Sequence, residues 1–301
     1  MKTCIRSLSI VVMLFISTSL MAEINVFACE PEWASLVDEL GGERLSSYAA
    51  TTAYQDPHHI EARPGLISKI RKADLVVCSG ADLEAGWLPI LLRQVSNQRL
   101  MPGKIGHFEA AKMVERLDVP IDTDRSMGDV HEAGNPHVHL DPRRIQIIAK
   151  ALMVRLKQVD PQGAEYYQLR FDDFTQRWQQ AILQWKQQAS ALQGKRIVVH
   201  HRDWVYLFDW LGIEIAGALE PKPGLPATPG HLVLLKQLVT AKPVDMIVHT
   251  PYQSTKAAKR LSQITNTPVV ELPYTVGGAD QVNDLFDLFS ITIEKLKSGL
   301  L

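Results

Sequence analysis

The sequence predicts an α/β protein of two lobes, each with a mainly parallel sheet flanked by helices, joined by one long rigid linking helix. Three observations carry that expectation. Strand-like runs alternate with amphipathic segments in the first half of the chain, the pattern that sandwiches a parallel sheet between helices. The same alternation resumes after residue 194. Between the two lies a helical periodicity too extended for one ordinary lobe.

Residues 1–22, MKTCIRSLSIVVMLFISTSLMA, read as a secretory signal: Lys2 and Arg6 form the charged start, Leu8 to Leu20 the apolar stretch, and Ala22 precedes the cut. No other run is long and apolar enough to span a bilayer. The first lobe, 23–159, opens with the run Ile24–Cys29 leading into the helical Glu32–Leu40, and Gly65–Ala73 leads into the run Asp74–Cys78. Asp141 and Pro142 then make an N-cap and a first helical residue. Asp160 and Pro161 repeat the device at the head of the linking helix, 160–194. There Tyr167, Phe171, Phe174, Trp178, Ile182, Trp185, Ala189 and Leu192 step by three or four and form one apolar stripe. Gly194 stops it, and the helix spans about 45–50 Å at 1.5 Å per residue. The second lobe, 195–301, contains the runs KRIVVHH, VDMIVHT and TPVVEL with helical segments between, and the constrained loop GALEPKPGLPATPG.

At 301 residues the chain has ample core for two lobes. Its 32 Lys and Arg against 33 Asp and Glu, with no basic run, exclude a nucleic-acid footprint. Removing the signal takes Cys4 with it and leaves Cys29 and Cys78. VFACEPEW has the look of a lipidation site at Cys29, but Glu23 and Asn25 break the apolar run that such a site needs. Both cysteines end strand-like runs, and in an oxidising compartment a disulfide between adjacent strand ends is the favoured reading. Free buried thiols and a thiolate metal site are the alternatives.

Of the ten histidines, three groups stand where a sheet delivers its loops. His58 and His59 follow the Asp56-Pro57 turn; His131, His137 and His139 precede a capped helix; His200 and His201 end the strand Arg196–Val199. Ligands of open α/β folds collect at the carboxyl ends of strands, and two lobes facing each other would bring two such rims to one cleft. His107, His231 and His249 read as ordinary hydrogen-bonded structure. Neighbours in an extended segment point opposite ways, so one histidine of each adjacent pair is expected at a metal. No local motif of the HExxH or CxxC kind is present.

The stretches DPHHIEARP, NPHVHLDP and VVHHRDWVY together resemble the zinc and manganese substrate-binding proteins of bacterial ABC transporters, the ZnuA/TroA-like family. ADLVVCSGADLEAGWLP and YTVGGADQVNDLF add to the likeness, which covers essentially the whole mature chain. In that family the metal histidine directly follows Asp-Pro, with Glu three and Pro six residues later; Glu61 and Pro64 keep that spacing from His58, which the resemblance implies as a ligand. It likewise implies His137, after Pro136, and His201, set off by Trp204 and Tyr206. The fourth position departs from the pattern: many relatives carry an Asp ligand where this chain has Leu272. Water or a group yet to be identified is the preferred occupant, with Glu271 or a histidine of the 131–139 loop as alternatives. His139 would face the side of His137 in an extended segment.

The resemblance implies a periplasmic, monomeric carrier that captures a divalent transition metal between its lobes and passes it to a membrane permease, with no chemistry performed. Three neutral imidazoles suit tetrahedral Zn²⁺. Mn²⁺ prefers more oxygen and higher coordination, so it stands second. A zinc hydrolase, with Glu61 as the nearby base, and a surface adhesin are the rival readings from other classes.

Overall fold

The computed structural model describes residues 23–121 and 130–300; the signal segment expected at 1–22 lies outside them. The first sheet contains β1 (Ile24–Ala28), β2 (Leu45–Ala49), β3 (Leu75–Cys78) and β4 (His107–Glu109) in the order β2-β1-β3-β4. The second contains β5 (Arg196–Val199), β6 (Glu214–Ala218), β7 (Met246–His249) and β8 (Val269–Glu271) in the order β6-β5-β7-β8. Every pairing is parallel, so the crossovers place helices on both faces. These are α1 (Pro31–Gly41), α2 (Pro64–Ile70), α3 (Leu88–Leu92) and α4 (Pro142–Val159) around the first sheet. Around the second lie α6 (Val205–Leu211), α7 (Pro229–Ala241), α8 (Lys256–Thr265) and α9 (Leu285–Ser298).

The long helix is α5 (Ala164–Gln188), 25 residues or about 37 Å. It is shorter than the expected 160–194 because both ends tighten into 3₁₀ turns, Pro161–Gly163 and Ser190–Leu192. Asp160 caps the first turn through the Gly163 amide at 3.3 Å and also accepts from Arg44 and Tyr167, fixing the angle between α4 and α5. α5 packs on α1 and α4 of one lobe and on α9 of the other. Trp178 Nε1 donates to the Pro142 carbonyl at 2.7 Å, and about two turns further on Trp185 Nε1 donates to Ser290 Oγ at 3.0 Å. The Trp178 ring lies edge-on to Phe286 and Phe289, 4.8 and 5.6 Å between centroids. One continuous apolar core therefore runs from Leu36 and Ile148 through Trp178 to Phe289.

Cys29 and Cys78, at the ends of β1 and β3, are joined in a disulfide, with Cα atoms 4.8 Å apart. Both are fully buried. Among the described residues no helix is long and apolar enough to cross a membrane.

Candidate metal centre

His58, His137 and His201 stand on three separate loops at the carboxyl edges of the two sheets. Asp56 folds the first loop: its carboxylate accepts from the His58 amide at 3.0 Å and its carbonyl from the His59 amide at 3.1 Å. His137 precedes the turn Val138–Leu140 that feeds α4, and its amide donates to Asn135 Oδ1 at 3.0 Å. His201 leaves β5 and opens the turn Arg202–Trp204 into α6. Tyr206 stitches these last two together, donating to the Asn135 carbonyl at 2.6 Å while Asn135 Nδ2 donates to the Arg202 carbonyl at 2.8 Å.

The three rings form a nearly equilateral triangle, with centroid separations of 5.6, 5.7 and 5.7 Å and faces steeply inclined. Each offers a ligand nitrogen within 4.8 Å of the other two. The far side of each ring is already tied down. Nδ1 of His58 meets Asp56 at 2.8 Å, Nδ1 of His137 meets the Tyr274 hydroxyl at 2.8 Å, and Nδ1 of His201 meets Glu220 at 2.7 Å. With the proton on Nδ1 the Nε2 lone pair is left for a cation, the arrangement by which outer groups orient metal-binding imidazoles. His137 Nε2 is buried and has no hydrogen-bond partner, an unsatisfied acceptor that a bound cation would relieve. The donor set fits a divalent transition metal.

Electrostatics at the site are divided. Burial, and then the neighbouring charges of His58 and His201, depress His137 well below the ordinary imidazole range and hold His131 down to about 3. Burial acts the same way on His201, but Asp203, Glu220 and Asp56 outweigh it and lift the ring to about 9. Asp56 itself, although burial opposes ionisation, is held well below the usual carboxylate range by His58. Four crowded imidazoles thus share a pocket walled by carboxylates, an environment matched to one compact positive charge.

His139 does not join the cluster. His137 sits at the head of a 3₁₀ turn, where residues two apart point to different sides. The His139 ring is buried behind the site, Nε2 on the Tyr274 carbonyl at 3.0 Å and Nδ1 3.2 Å from Glu32. Glu271 is elsewhere too: its half-exposed carboxylate ends β8, 3.9 Å from His249 Nδ1. Leu272 is fully buried in the core, and the backbone beyond it delivers Tyr274 instead. His131 does reach the cluster, with Nε2 3.1 Å from His58 Nε2. The neighbours His59 and His200 point away: His59 is largely exposed on Asp56, and His200 Nε2 is 3.8 Å from Glu220. His107, His231 and His249 each bond a backbone carbonyl. Sequence reasoning missed Asp56, Glu220 and Tyr274 as orienting groups; Asp56 alone carried a local signal, in its turn with Pro57.

Over 284 residues the chain is 22% identical to the manganese ABC transporter substrate-binding lipoprotein PsaA of Streptococcus anginosus, covering 92% of this chain and 89% of that protein. Among solved structures its fold matches that of ZnuA with a TM-score of 0.79 at 17% identity, covering 93% of this chain and 100% of that one. A Mn-bound periplasmic metal binding protein from candidatus liberibacter asiaticus matches at 0.75 and 18% identity, with coverage of 93% and 100%. Residues 26–299 match the ZnuA family, described as zinc-uptake complex component A periplasmic. The chain belongs to that family of extracytoplasmic metal ABC transporter substrate-binding proteins, whose members serve a permease and are not enzymes.

Proposed function

We propose that this chain captures Zn²⁺ through His58, His137 and His201 and carries it to its permease. In this reading residues 1–22 are an export signal and the mature chain works as a periplasmic monomer. The single observation that carries the reading is the triangle of imidazoles whose Nδ1 atoms are all engaged and which each offer a ligand nitrogen within 4.8 Å of the other two. Two of the histidines come from the first lobe and one from the second, so the ion closes the cleft by bonding across it. Imidazole donors and a closed, low-coordination cage suit zinc better than manganese, which favours oxygen-rich octahedral sites. Manganese is retained as the second reading because buried carboxylates stand close by, Asp203 above all. Lipid attachment at Cys29 is disfavoured, since that sulfur is bonded to Cys78.

Metal analysis of protein purified from the periplasm tests the reading beside the variants His58→Ala, His137→Ala and His201→Ala. One zinc per wild-type chain, lost in each variant, is expected. Manganese in its place would select the second reading, and equal metal content in all four proteins would reject the site.

A further inference from the structure

We propose that Asp203 is the fourth ligand, so that the centre is three imidazoles and one carboxylate. This inference deepens the capture reading and rests on it. Asp203 lies two residues beyond His201 in the turn Arg202–Trp204 and is fully buried. Its Oδ1 is 3.7 Å from His137 Nε2, the nitrogen that lacks a hydrogen-bond partner. That separation is too long for a hydrogen bond. It is close to the roughly 3.3–3.4 Å between two ligands that share a tetrahedral ion with bonds near 2.0–2.1 Å.

The charge argument points the same way. Asp203 accepts from neutral donors, the Tyr252 hydroxyl at 3.3 Å and Gln253 Nε2 at 2.9 Å. A buried carboxylate held by neutral groups calls for a cation. The other carboxylates at the site are spent on Nδ1 atoms, Asp56 on His58 and Glu220 on His201, behind the rings rather than at the ion. Of the three, Asp203 is the one beside the Nε2 of a ligand histidine, that of His137. His131 is the competing donor, but it bonds His58 and its ring is 6.4 Å from that of His137. The acid absent at Leu272 is thus supplied from a different element, on the same turn as His201.

The structure of the wild-type protein crystallised with Zn²⁺, together with chelator-competition titration of wild type and Asp203→Asn, tests the proposal. The expected result is an Asp203 oxygen within bonding distance of zinc and at least a tenfold loss of affinity in the variant. The apo variant should melt close to the wild type, because asparagine can still accept from Gln253 Nε2 with its amide oxygen while its amide nitrogen donates to the Tyr252 hydroxyl. Zinc held by the three histidines with water or His131 in the fourth place, or affinities equal within twofold, would overturn the role of Asp203 and leave capture standing. Failure of the wild type to bind Zn²⁺ at all would overturn the capture reading itself. The crystal result stands whether or not the variant folds.

Discussion

At the scale of single residues, the centre is defined as much by the groups behind the histidines as by the histidines. Tyr274 is the clearest case. Its hydroxyl holds His137 Nδ1 while its carbonyl accepts from His139, so one residue of the second lobe orients two rings of the first. Tyr274→Phe is expected to weaken zinc binding about tenfold, the lower end for losing an orienting partner, with the fold retained; isothermal titration reads it, and unchanged affinity would show that Asn135 and packing orient the ring unaided. Away from the site, Glu84 is buried against Glu30 beside the disulfide. Burial raises its carboxyl to about 7, although hydrogen bonds from Glu30 and from the amides of Gly80 and Ser79 pull it down. Burial, followed by the charges of Glu84 and Glu32, raises Glu30 as well. The folded state therefore holds a proton that the unfolded chain releases near its ordinary value of 4.5. Stability should fall as pH climbs from about 4.5 to about 7, by on the order of 3 kcal/mol at 1.36 kcal/mol per unit. Urea titrations of Glu84→Gln at pH 5 and 8 should show most of that dependence gone; a slope equal to wild type would place the proton elsewhere. The ligand candidates were legible because each sits in a short motif. Their partners were not, because Glu220 and Tyr274 lie 19 and 137 positions from the rings they orient, and no local pattern encodes such a contact.

At the scale of elements, the sequence announced what is buried on two faces and was quiet about the rest. β1, β3, β5 and β7 occupy the middle of their sheets and read as nearly unbroken apolar runs, as covered parallel strands must. The edge strands β2 and β6, LSSYA and EIAGA, are half-exposed, so serine and glycine suffice there and no strand signal results. The caps were legible too: Asp141 accepts from the Arg143 amide at 2.8 Å to start α4. What the apolar stripe of α5 did not disclose was where the helix tightens into 3₁₀ turns, since Pro161 and Gly194 mark ends without measuring them. Within α5, Trp178 is fully enclosed and touches both lobes, through Pro142 on one side and Phe286 and Phe289 on the other. Trp178→Ala should cost about 3–5 kcal/mol, the range for emptying a buried aromatic site. Chemical denaturation of the apo protein checks this. A loss below about 1 kcal/mol would mean that α5 is not the shared wall between the lobes.

At the scale of the whole molecule, the question is how a cleft closed by so many contacts admits and releases an ion. The lobes meet not only across the histidines but along the α5 core and through polar ties, both exposed and buried. Asp118 pairs with Arg202, the Leu117 amide donates to Tyr206, and Thr275 donates to Glu32 at 2.5 Å. A wide hinge motion would break the α5 core as well as these ties, whereas local movement of the loops carrying His58 and His131 breaks few. Capture is therefore expected to stiffen a nearly closed protein rather than fold two lobes together. An ion that binds only the folded chain raises its stability by about 4 kcal/mol at a thousandfold excess over Kd. Protons compete for the same nitrogens, and free imidazole titrates near 6.5. Thermal unfolding with and without saturating Zn²⁺ should then show a rise of several degrees at pH 7.5 that shrinks strongly at pH 5.5. Small-angle scattering of the same samples should show little change in radius of gyration. A zinc-induced rise in melting temperature equal at both pH values would contradict imidazole ligation. A marked contraction on binding would instead show that the lobes swing, and that the α5 core yields in solution.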